Sequence, residues 1–184
     1  MYAGHFAAGL AIKGASPKSP TWAILFGVVF VDLLFGLFLL LGLERAVTTP
    51  GVAPGFRLES IPWSHSLLLS LFWSLLFALP FFRHGRGVML ALAAAVFSHF
   101  LLDFVMHPGD LRLWPGSTVE LGFGLWQRLP VGWWLVELVF IAAACGYYLR
   151  QAKREGGFGG RGAWACAVVL LLHVTNSPWL SPVK

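Results

Sequence analysis

Apolar residues in this chain fall into long runs separated by short polar punctuation. The runs cover residues 21–43, 64–82, 87–107, 131–149 and 163–180. Each has the roughly 18–23 residues that a helix needs to cross the hydrocarbon core of a bilayer. Residues 2–12 form another apolar segment, too short to span, and predict a half-membrane or re-entrant helix. Gly14, Pro17 and Pro20 mark the first loop, and Arg83-His84-Gly85-Arg86 is a basic hairpin. Residues 44–63 and 108–130 are longer loops, and residues 150–162 are basic and glycine-rich. The pattern predicts an all-α, polytopic transmembrane helical bundle. It has about five spanning helices plus the short N-terminal helix, in a single integral membrane domain over 1–184.

Composition agrees. Charged residues make up 11% against about 25% in soluble domains, and mean hydropathy is +0.75. The net charge of +5 comes from loop Lys and Arg, so it bears on topology, and no nucleic-acid partner is expected. Membrane lipids are the expected surroundings. Cys145 and Cys166 lie inside predicted spans and suggest no disulfide framework. The N-terminus lacks a basic n-region, so no secretory signal is read there. Loops on one side hold Lys13, Lys18, Arg83, Arg86, Arg150, Lys153, Arg154 and Arg161. The other side holds Arg45, Arg57, Arg112, Arg128 and Lys184. The positive-inside rule assigns the first group to the cytoplasm.

Against this background the stretch Ser98-His99-Phe100-Leu101-Leu102-Asp103-Phe104-Val105-Met106-His107 is unusual. On a helix, residues 99, 103 and 107 line one face at i, i+4 spacing, and Pro108 places His107 at the helix end. Imidazole, carboxylate and imidazole on one stripe is a ligand set suited to a divalent metal such as zinc. The topology also brings His65, Glu137, His173 and Asn176 to the outer half of the bilayer, with Asp32 near the midplane. Intramembrane ionisable groups are costly and face a bundle interior or cavity, so they are functional candidates. Some have plainer readings. His173 reads as an interhelical hydrogen-bonding group and His84 as solvated. Glu137 fits a structural hydrogen bond as well as a ligand. Gly156-Gly157-Phe158-Gly159-Gly160 reads as a flexible loop, because no strand precedes it.

With these residues in view, the chain resembles bacterial inner-membrane proteins of the membrane-bound metal-dependent hydrolase kind. The resemblance rests on Gly4-His5, Asp32, Pro62-Trp63-Ser64-His65-Ser66, Ser98-His99 through Asp103, His107-Pro108-Gly109-Asp110-Leu111, Gly122-Phe123-Gly124-Leu125-Trp126 and Glu137. The ligand order is also similar to zinc-dependent phospholipase C and the single-strand-specific zinc nucleases. That similarity implies a helical bundle with Asp32, His65, His99 and Asp103 on one metal. Asp103 would bridge to a second metal near His5, and His107 with Glu137 would take a third. Trp133 stands where those enzymes carry a histidine one turn before the glutamate, so two metals are expected rather than three.

The implied function is hydrolysis of a phosphoester, including a lipid-linked one, at the outer (periplasmic) membrane face by zinc, with manganese as the other candidate. Asp32 or Asp103 would orient the attacking water, and Arg57 or Arg112 would hold the phosphate bidentately. Three other classes stay open. These are a transporter, channel or proton relay built on the same cluster, a bis-histidine haem protein, and a scaffold that binds metal without turnover.

Overall fold

The structure is a computed structural model that describes residues 2–48, 56–129, 131–156 and 160–179; the side chains of residues 46–48 and 56–60 lie outside the description. It is mostly helical. In chain order the helices are α1 (Tyr2–Ala15), α2 (Thr21–Leu40), α3 (Pro62–His65) and α4 (Leu67–Ala78). After α4 come α5 (Arg86–Met106), α6 (Leu125–Arg128), α7 (Gly132–Arg154) and α8 (Gly160–Thr175). A 3-10 segment, Leu79–His84, extends α4. Strands β1 (Arg45–Thr48) and β2 (Phe56–Ser60) pair antiparallel, as do β3 (Leu111–Arg112) and β4 (Glu120–Leu121). Both hairpins fall where the sequence reads as long loop.

Four helices among the described residues are long and apolar enough to cross a membrane: Thr21–Leu40, Leu67–His84, Arg86–Met106 and Gly132–Arg154. The fifth expected span differs. The expected run extends to 180, but α8 ends at Thr175 after 16 residues, below the roughly 18–20 that spanning takes. The second expected span is also interrupted. Ser66 is extended (φ −76°, ψ 150°), so the run starting at 64 divides into α3 and α4.

The short N-terminal helix is central. Helix α1 packs along α7 and also touches α2, α5 and α8. Its buried face is built from Ala3, Gly4, Ala7, Ala8, Gly9 and Gly14, small residues that let helix backbones approach closely. A Cβ on Gly9 would stand 3.2 Å from Val28 Cγ1, and one on Gly14 would stand 3.2 Å from Tyr148 Cα. Because Tyr148 Cα is backbone, it cannot rotate away. Gly14→Leu is therefore expected to push α1 off α7 and to cost about 1–3 kcal/mol. A lowered melting temperature in detergent would report it, with Gly36→Leu, at a position where no atom lies within 4 Å, as the control.

Helix α5 ends as Pro108 requires, with His107 extended (φ −72°, ψ 144°). The following loop is tied back onto that end. Phe123 N–H donates to Phe104 O (2.6 Å), and Gly124 N–H donates to His107 O (2.7 Å). These bonds hold the Trp126 ring against the His107 ring, with centroids 4.8 Å apart.

Candidate metal centre

Asp103 stands at the centre of the site, one turn after His99 on the buried face of α5. Its Oδ2 lies 3.0 Å from His99 Nε2 and 3.6 Å from His65 Nε2. Its Oδ1 lies 3.3 Å from His5 Nε2 and 4.0 Å from His107 Nε2. Asp32, from the middle of α2, adds Oδ1 at 3.3 Å from His99 Nε2 and 3.7 Å from His65 Nε2. The His5 and His99 rings stack 3.8 Å apart, 6° from parallel. Asp103 and the four histidine side chains are at most 6% exposed, whereas Asp32 is 45% exposed and forms the open edge.

The far side of three of these imidazoles is occupied. His99 Nδ1 lies 2.8 Å from Val28 O, an acceptor only, so Nδ1 carries the hydrogen. His107 Nδ1 lies 2.9 Å from Asp110 Oδ1, which assigns its hydrogen in the same way. His65 Nδ1 lies 2.6 Å from Ser64 Oγ. In neutral imidazoles so arranged, each Nε2 presents a lone pair to the carboxylates. His99 Nε2 faces Asp103 at 3.0 Å and Asp32 at 3.3 Å without hydrogen-bond geometry to either. Lone pairs and carboxylate oxygens at these separations repel unless positive charge lies between them.

A divalent ion fits this donor set. With bonds of roughly 2.0–2.2 Å to nitrogen and oxygen, the ligand atoms of a tetrahedral centre stand about 3.3 Å apart. The four nitrogen–oxygen separations among Asp32, His65, His99 and Asp103 run from 3.0 to 3.7 Å and bracket that spacing. Among the described residues, two overlapping groups could hold an ion: Asp32, His65 and His99, and His5, His99 and Asp103. Anchoring the distal imidazole nitrogen on a carbonyl or carboxylate is also the usual second layer of a metal site.

The remaining candidates lie elsewhere. Glu137 does not join His107. Its Oε1 accepts from Gly4 N–H (2.8 Å), and its Oε2 lies 3.7 Å from His173 Nδ1, which faces Glu137 and stacks on Trp134. The reason is helix placement: α1 lies along α7 and presents Gly4 N–H, one of the N-terminal amides without an intrahelical partner, to the glutamate. Trp133 is buried. Arg112 pairs with Glu120 (3.1 Å) and, with Asp110, Ser117 and Thr118, lines a polar cleft of about 440 Å³. Arg57 is on β2 opposite Val47, and its side chain lies outside the described residues.

Sequence reasoning missed Glu44, Ser64 and Asp110 as supporting groups. Glu44 and Asp110 lie in segments that read as loop, yet Glu44 is 1% exposed. For Asp110 a signal existed: His107-Pro108-Gly109-Asp110 is a turn that folds the acid back onto the histidine. For Glu44 the sequence carries no comparable signal, because its partners lie about 20 residues away. Comparison with known proteins finds no matching family model, no matching curated protein and no matching solved structure.

Proposed function

We propose that this protein is a membrane-embedded, zinc-dependent hydrolase that cleaves a phosphoester, with a lipid-linked substrate, at the outer face of a bacterial inner membrane. The observation that carries the proposal is the convergence of four histidine Nε2 atoms on the two oxygens of Asp103, two of them, from His65 and His99, also facing Asp32. Asp103 Oδ2 with Asp32, His65 and His99 would hold one ion. Oδ1 with His5 and His107 would hold a second. The similarity in ligand order to zinc-dependent phospholipase C supports the phosphoester assignment. Helices long enough to cross a membrane, with the basic loops at one end, support the location and orientation.

Bound zinc supplies an activated water and a charge clamp on the phosphoryl oxygens. The protein's own groups do the rest. Asp32, at the exposed edge, would orient the water and accept its proton. The buried imidazoles and the Trp126 loop exclude bulk water from the other sides. Arg112 stands in a cleft that shares Asp110 with the His107 anchor, so a charged headgroup lodged there stays close to the centre.

Elemental analysis of protein purified without chelators is expected to give about two zinc ions per chain. His99→Ala should retain less than half of that and lose phosphodiesterase activity on phospholipid in mixed micelles. Wild-type protein that carries no metal and takes up none when dialysed against zinc or manganese would refute the proposal.

A further inference from the structure

We infer that Glu44 is a positioning residue for the centre: through Ser64 it selects the tautomer of His65 that can bind metal. This rests on the metal-binding reading above. Glu44 is buried just beyond the C-terminal end of α2. Its Oε1 accepts from Trp63 N–H (2.9 Å) and Ser64 N–H (2.8 Å), the adjacent amides at the start of α3. Both of its oxygens contact Ser64 Oγ, at 2.9 and 2.7 Å. Ser64 Oγ also lies 2.6 Å from His65 Nδ1.

Counting hydrogens gives the direction of this chain. A serine hydroxyl has one hydrogen, and a carboxylate only accepts. Ser64 therefore donates to Glu44, and His65 Nδ1–H donates to Ser64. Nε2 is left with its lone pair, facing Asp103 and Asp32 at 3.6 and 3.7 Å. The carboxylate of Glu44 reaches the metal position only through this relay.

Glutamine at 44 would reverse the relay. Its amide oxygen can keep both backbone bonds where Oε1 stands, and those bonds fill its two lone pairs, leaving none for the serine hydrogen 2.9 Å away. Its NH₂ would replace Oε2 and donate to Ser64 Oγ. The serine hydrogen then turns to His65 Nδ1, and the imidazole hydrogen moves to Nε2, where it blocks the metal. Shape and backbone anchoring are retained, so Glu44→Gln isolates the hydrogen count from the fold.

The test uses the full-length chain, labelled with ¹⁵N-histidine and stripped of metal in detergent. Nitrogen shifts should show His65 with hydrogen on Nδ1 in the wild type and on Nε2 in Glu44→Gln. Zinc titrated against a competing chelator should bind Glu44→Gln about 10–100-fold more weakly, the usual loss when an outer-layer partner of a metal ligand is changed. Because Glu44 acts through Ser64, adding Glu44→Gln to Ser64→Ala should cost almost nothing further. An unchanged His65 tautomer in Glu44→Gln, or full additivity with Ser64→Ala, would overturn the inference. If the wild type takes up no zinc, the metal reading fails, and the tautomer measurement still decides the role of Glu44.

Discussion

Asp103→Ala is expected to abolish metal binding and, with it, hydrolysis, the largest effect of any single substitution in this chain. Each oxygen of Asp103 faces a different pair of imidazoles, Oδ2 toward His65 and His99 and Oδ1 toward His5 and His107. Loss of this carboxylate therefore weakens both halves of the centre at once. Changing an outer-layer group costs roughly 10–100-fold in affinity, so losing a shared direct ligand should cost on the order of 10³ or more. Asp103→Asn should be nearly as severe, because its amide nitrogen can donate to an Nε2 and occupy the lone pair a metal needs. Thermal melting supplies a readout apart from activity. Zinc at about 100 times its Kd should stabilise the wild type by about 2.7 kcal/mol and leave both variants unmoved. Equal zinc stabilisation of wild type and Asp103→Ala would show that the carboxylate is not a ligand.

Gly122→Ala should have the largest effect on stability, and it should reach the centre through the backbone. Gly122 has φ +141°, a conformation that side chains strain to adopt. A Cβ there would overlap the His107 carbonyl oxygen and stand 2.6 Å from Gly109 N. Those atoms are backbone, so neither can rotate aside. The 122–124 segment would have to lift from the end of α5, losing the Phe123 to Phe104 and Gly124 to His107 hydrogen bonds. At about 0.5–1.5 kcal/mol per bond plus about 1–3 kcal/mol of backbone strain, the expected cost is roughly 2–6 kcal/mol. Gly116→Ala is the matched comparison: φ is +85° there, but nothing lies within 4 Å of the added carbon. It should show only the strain component. Melting curves of the two variants separate these contributions, and Gly122→Ala alone should also weaken zinc binding, because it disturbs His107.

How far the site was legible in the sequence depends on the range of the contacts that build it. The i, i+4 stripe of His99, Asp103 and His107 follows from helical geometry, and Pro108 marks where the stripe ends. The break at Ser66 was not legible. The polar triplet Ser64-His65-Ser66 suits a helix start as well as a break inside one, and the Glu44 carboxylate that captures Trp63 and Ser64 N–H lies 19 and 20 residues earlier. That break sets His65 apart from the α4 register and lets it meet Asp32 and Asp103. Glu137 shows the same limit. Its depth in α7 could be read, but its partners Gly4 and His173 follow from how α1 and α8 pack on α7.

By itself, then, the sequence determined the helical class, the long apolar helices and the residue types able to bind a metal, because hydrophobic period and length act locally along the chain. Only the tertiary structure decided which imidazole nitrogen faces inward, since that depends on Val28 O, Asp110 and the Glu44–Ser64 pair on the opposite side of each ring. It also decided that the shortest of the expected membrane helices, α1, lies in the middle of the bundle. Its run of small residues allows the close approach that brings His5 to Asp103, a distance no spacing along the chain could specify.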